Sequence, residues 1–124
     1  MTVKVISLLD GFDEDVLRNH QHYARLYQYT HQWVETRAYA HPRLKAAFKY
    51  DYLLQQLKSM DEGDLVVMVD AQSAFFQPMD VRHLMVGRDS MVVNGPSDPD
   101  MPEITMCNLL IVRNTGANRA ILYD

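Results

Sequence analysis

Several things are scarce in this chain of 124 residues, and each scarcity narrows what the chain can be. With one cysteine, Cys107, it cannot close an internal disulfide, which points to a reducing compartment, the cytoplasm. The longest apolar run, Leu65 to Val69, is far too short to cross a bilayer, so no membrane span is expected. Met1 leads straight into Thr2-Val3-Lys4-Val5-Ile6, a strand-like pattern without the layout of a signal peptide. The 12 Lys and Arg, against 16 Asp and Glu, are scattered and leave a net charge of −4. No basic stripe therefore marks a phosphate backbone, and nucleic acid is not expected as a partner. No Gly-x-Gly-x-x-Gly follows the first strand, which disfavours dinucleotide binding. The five histidines do not form a metal pattern. His20 and His22 point roughly 200° apart on a helix, and His31 sits on a strand face with Tyr29 and Trp33, a packing position.

What is present suits one domain, 1–124, able to bury a single core: 48% apolar and 23% charged residues, with no repeat and no low-complexity segment. Val3 to Leu9 reads as a strand that ends at the turn signal Asp10-Gly11. Asp13 offers an N-cap to a helix reaching about Tyr27, with Glu14 and Asp15 in its first turn and Val16, His20, Tyr23, Ala24 and Tyr27 along one face. Gln28 to Val34 alternates as a half-buried strand. Pro42 opens a second helix to about Met60, with a predicted buried stripe of Ala47, Tyr50, Leu54 and Leu57 widened by Leu53 and Met60. Leu65 to Val69 is continuously apolar between Asp64 and Asp70, as a central parallel strand covered on both faces requires. A short helical turn after Pro78, strands near Ser90–Val93 and Thr105–Val112, and a final helix from Gly116 complete the pattern, with a proline-rich loop from Asn94 to Pro102.

Strand, helix, strand, helix, strand implies right-handed crossovers and an α/β fold, Rossmann-like, with a mostly parallel sheet and helices on both faces. Such sheets bind ligands at the carboxyl ends of their strands, where strand order reverses. Asp10 and Asp70 both fall at such ends.

Two segments carry a family resemblance. Lys49-Tyr50-Asp51-Tyr52-Leu53-Leu54-Gln55-Gln56-Leu57, followed by Asp64-Leu65-Val66-Val67-Met68-Val69-Asp70-Ala71-Gln72-Ser73-Ala74-Phe75-Phe76, resembles the core of nucleotide-sugar glycosyltransferases of the GT-A fold. The nearest likenesses are the yeast Golgi galactosyl/mannosyltransferases and the glycosyltransferase domain of the lysyl hydroxylases. Cys107-Asn108-Leu109-Leu110-Ile111-Val112-Arg113-Asn114-Thr115 is similar to a later "Asn-x-Gly, apolar strand, Arg-Asn" segment of the first group. The resemblance implies an abbreviated GT-A-like domain that binds a nucleotide diphosphate sugar and, if active, transfers a hexose to an acceptor. In such enzymes a divalent ion neutralises the departing diphosphate, and paired carboxylates hold Mn2+ or Mg2+. Carried over, Asp70 is the first acid, on the ribose or the metal, with Gln72 and Lys49 assisting. Asp10 and Gly11 face the base or ribose.

The sequence departs from that pattern where the second acid belongs: Gln72 and Ser73 are neutral, which weakens metal binding. The family's Asn-x-Gly is Met106-Cys107-Asn108, which adds bulk. Plainer readings stand beside these: Asp70 as a cap, Lys49 as a solvated helix residue, and Asp10-Gly11 as a simple turn. The alternative function is a non-catalytic interaction domain derived from the glycosyltransferase fold. An unfinished sheet leaves an edge to cover, so a homodimer fits either function.

Overall fold

The computed structural model describes residues 1–37, 41–70, 79–94 and 107–123. Strand β1 (Val3–Leu9) leads into helix α1 (Glu14–Leu26), whose N-cap is Asp13; its carboxylate accepts the Val16 N–H at 3.2 Å. Strand β2 (Thr30–Glu35) follows, then helix α2 (Pro42–Ser59) and strand β3 (Leu65–Asp70). The short helix α3 (Val81–Leu84), strands β4 (Ser90–Asn94) and β5 (Cys107–Arg113) and helix α4 (Gly116–Tyr123) complete the described chain.

The five strands form one sheet in the order β2-β1-β3-β5-β4. β1 pairs in parallel with both β2 and β3, so the chain moves one way across the sheet from β1 to β2 and the other way from β2 to β3. Right-handed crossovers in opposite directions place their helices on opposite faces. The core shows this division. α1 contributes Tyr23 and Ala24 to a cluster with Val3, Val5, Val67, Val69 and Ile111, joined by Val81 of α3. α2 contributes Leu53 and Leu57 to the opposite cluster, with Ile6, Leu8, Val66, Met68 and Val112, against which Leu122 of α4 packs. Helices therefore cover both faces, and β3 is buried from Leu65 to Val69, as its unbroken apolar run requires.

Two expectations need correction. β5 runs antiparallel to β3 and to β4, so the sheet is mixed. Antiparallel neighbours need no crossover helix; the expected proline-rich loop from Asn94 to Pro102 lies, beyond Asn94, outside the described residues. In α2 the stripe begins later than its periodicity suggests. Tyr50 is exposed and Ala47 lies at the surface, while Phe48 and Tyr52 pack against the core.

Among the described residues, no helix is long and apolar enough to cross a membrane.

Candidate functional site

The reversal of strand order falls between β1 and β3, and ligands of open α/β sheets bind at the carboxyl ends of such a pair. Two of the sequence-predicted residues meet there. Leu8 pairs with Asp70 in the parallel register, and Asp10 lies two residues further along its own strand's course. Side chains alternate across a strand, so Asp70 shares the α2 face with Val66 and Met68. Asp70 is half-buried at the mouth of that face. The Asp10 side chain points the same way, because its partner is on α2.

That partner is Lys45, whose Nζ lies 2.5 Å from Asp10 Oδ2. The other oxygen, Oδ1, accepts from Thr36 Oγ1 at 2.5 Å. Thr36 is buried and anchored by its own N–H on the Leu9 carbonyl at 2.9 Å. Lys45 first, then Thr36, holds the Asp10 carboxyl below its ordinary value. Gly11 takes a φ of +95°, which a side chain would strain, and its N–H donates to Glu35 Oε1 at 2.8 Å. The same oxygen accepts from the Arg37 N–H at 2.7 Å. Arg37 Nη1 lies 3.8 Å from where a Cβ on Gly11 would stand, so its guanidinium lies over the turn.

Lys49 stands one helical turn beyond Lys45 on α2, half-buried, with Nζ 5.9 Å from the Tyr50 ring centroid. The cation that meets Asp10 is Lys45, which sequence reasoning passed over. Its signal was available: Arg37, Arg43, Lys45 and Lys49 fall within one stretch that holds no acid, although the chain carries 16. Gln72 and Ser73 lie outside the described residues.

The antiparallel course of β5 matters here. Val69 pairs with Leu109, so the backbone at Cys107 and Asn108 enters at the Asp70 end, while Arg113 and Asn114 are carried to the opposite end beside Leu65 and Asp64. The two halves of the later family-like segment therefore do different work. Arg113 donates to the carbonyls of Met85 and Arg88, and Asn114 to those of Met60 and Asp61.

A second polar cluster lies under α1. Ser7, fully buried on β1, places Oγ 2.8 Å from His20 Nδ1 and 2.8 Å from His31 Nε2. A hydroxyl has one proton to give, so one ring accepts it and the other donates. Burial, then the neighbouring His20, lowers the basicity of His31. A groove lined by Gln21, Ala24, Arg25, Tyr29 and His31 lies beside it. His31 was expected only to pack; the serine that links it to His20 is thirteen residues from one and twenty-four from the other.

Among the described residues, no three His, Cys, Asp or Glu side chains are grouped to hold a metal ion. The donor chemistry at the switch point agrees, since the ammonium of Lys45 occupies the position a cation would take on Asp10. Compared with protein families and curated proteins, the chain matches no family model and no curated relative.

Proposed function

We propose that the carboxyl ends of β1 and β3 form a binding site for a nucleotide diphosphate sugar, in a GT-A-like domain. The supporting observation is the convergence of Asp10, Gly11 and Asp70 at the reversal of strand order, beneath the cation-bearing first turns of α2. In this reading Asp70 meets the ribose or a Mn2+ or Mg2+ ion, Lys49 and Gln72 assist, and Asp10 with Gly11 shapes the wall toward the base. The donor set does not favour a tightly held divalent ion, because Asp10 is already neutralised by Lys45 and position 72 is an amide. Hexosyl transfer is the catalytic form of the reading, with no residue assigned as base.

The test is a thermal-shift titration with UDP, GDP and their common sugars, with and without Mn2+, beside Asp70→Asn. A ligand at 100 times its dissociation constant adds about 2.7 kcal/mol, a rise of roughly 10 °C for a domain of this size. A shift with one donor that is lost in the variant supports the site. A folded sample that no donor shifts sinks it.

One observation favours the interaction reading. Among the described residues β2 is an edge strand, and its Trp33, 39% exposed, meets Phe12, 66% exposed, with ring centroids 5.6 Å apart and planes tilted by 60°. Pairing of β2 with a second copy would cover that edge. Light scattering should then report a dimer that Trp33→Lys dissociates, and a monomer at high concentration would remove this reading.

A further inference from the structure

The segment from Thr36 to Tyr50 carries four of the chain's 12 Lys and Arg and no Asp or Glu, in a chain whose net charge is −4. The structure brings two of the four to one tight turn. Lys45, 38% exposed, holds Asp10, and Arg37 lies exposed over Gly11, the next residue. Among the described residues the Arg37 guanidinium forms no ion pair. The carboxylate nearest to it in sequence, Glu35, is engaged through Oε1 with the backbone N–H groups of Gly11 and Arg37. Two cations thus flank one turn at the strand ends; of the two acids there, Asp10 is shared with the buried Thr36 and Glu35 is held by backbone N–H groups.

We infer that the Asp10-Gly11 turn carries a metal-independent diphosphate subsite in which Lys45 and Arg37 supply the positive charge. This rests on the reading of the β1 and β3 ends as a nucleotide diphosphate site, and it assigns the charge that Gln72 and Ser73 fail to bring through a metal. The chemistry suits both residues. The planar guanidinium presents paired donors to two oxygens of one phosphate, while the ammonium acts as a compact point charge that turns toward a second. Lys45 is available because an exposed ion pair adds little to stability and exchanges its carboxylate for a phosphate at low cost. When Lys45 swings away, Thr36 keeps Asp10 in place, so the turn need not be rebuilt.

Calorimetric titration of the whole chain with pyrophosphate, UDP and uridine, in EDTA and then in Mn2+, tests the subsite. Lys45→Gln and Arg37→Gln are compared with wild type. Arg18→Gln is the control, since it removes the same charge from a helix surface where Arg18 pairs with Glu14. Pyrophosphate and UDP should bind in EDTA, weaken at least tenfold in each of the two site variants, and keep wild-type affinity in the control. Far-UV circular dichroism verifies that each variant is folded. Binding that requires Mn2+, site variants that bind like wild type, or an equal loss in Arg18→Gln each overturns the subsite. Pyrophosphate bound in EDTA, with UDP and every other nucleotide ignored, keeps the subsite and removes the nucleotide reading. UDP bound only with Mn2+ and indifferent to Lys45→Gln does the reverse.

Discussion

Asp64 and Asp70 bracket the same strand, and the two ends they mark are built in opposite ways. Asp64 is 5% exposed; its carboxylate accepts from the Thr2 N–H at 2.8 Å and the Asp61 N–H at 3.0 Å. Asn114, 1% exposed, closes over it through backbone bonds to Asp64 and Gly63 and side-chain bonds to the Met60 and Asp61 carbonyls. Arg119 links Asn114 to Glu62. At this end Asp64 and Asn114 are bound to backbone and shut away from water, with the Arg119–Glu62 ion pair outside them. At the Asp70 end the Asp10 carboxylate meets the Lys45 ammonium on one oxygen and the buried Thr36 hydroxyl on the other, and the Arg37 guanidinium lies exposed over Gly11. Backbone bonds between buried groups fix a structure, whereas an ion pair between exposed side chains is exchangeable and can give way to a ligand.

The largest expected effect tests that contrast. Asn114→Ala removes the side-chain bonds of a residue 1% exposed to the Met60 and Asp61 carbonyls and its guanidinium contact, and should cost about 2 kcal/mol, with Asp64→Ala similar. Asp70→Asn and Lys45→Gln should each stay within about 1 kcal/mol. Urea denaturation of the four variants decides it. Equal losses at both ends would mean that the Asp70 end is also structural, and would return Asp70 to the role of a cap.

The Ser7 cluster lies between the two ends, buried like one and titratable like the other. His31 binds its proton less readily in the folded chain than its ordinary value of 6.5, so the unfolded chain takes up more protons as the pH falls below that value. Stability should be flat above about pH 6.5 and decline below it, by at most about 1.4 kcal/mol per pH unit for one proton. The urea midpoint between pH 5 and pH 8 measures this. His31→Gln should flatten the slope, and an unchanged slope would assign it to other groups.

Much of the fold was legible because periodicity speaks directly to burial. The run Leu65–Val69 announced the central strand, Asp13 the start of α1, and Pro42 that of α2. The direction of β5 was not legible, since an apolar strand reads the same either way and its partner is chosen by connections. The α2 stripe was misplaced at Ala47 and Tyr50, with Phe48 and Tyr52 packing instead, because the rotation of a helix against its sheet is set by tertiary contacts. The site divided similarly. Asp10 and Asp70 were marked by their place at strand ends, a local property. Lys45 over Lys49, and Ser7 between two histidines, depend on how α2 and α1 sit on the sheet. The fate of Arg113-Asn114 depended on β5 as well, whose reversal carries those residues away from Asp70 to the closed end.

The smallest expected effect is at Asp10, and it is the most direct probe of exchangeability. Its carboxyl is held below the ordinary 3.8, chiefly by Lys45 and then by Thr36. A depressed carboxyl stabilises the fold above the unfolded value and loses that contribution as the pH falls through the folded one, so the window lies below about pH 4. Because Lys45 and Asp10 are both well exposed, screening keeps the contribution to stability below about 0.5 kcal/mol, near the limit of a denaturation curve. The titration of the carboxyl itself, followed by carbon-13 NMR, is more sensitive. In Lys45→Gln the Asp10 midpoint should move up toward 3.8 and stop short of it, since Thr36 still donates. Pyrophosphate added to the wild type should move it the same way if the ammonium leaves Asp10 for the phosphate. A midpoint that rises in the variant and ignores pyrophosphate would show that Lys45 belongs to the fold, and that the two ends of β3 differ in exposure but not in purpose.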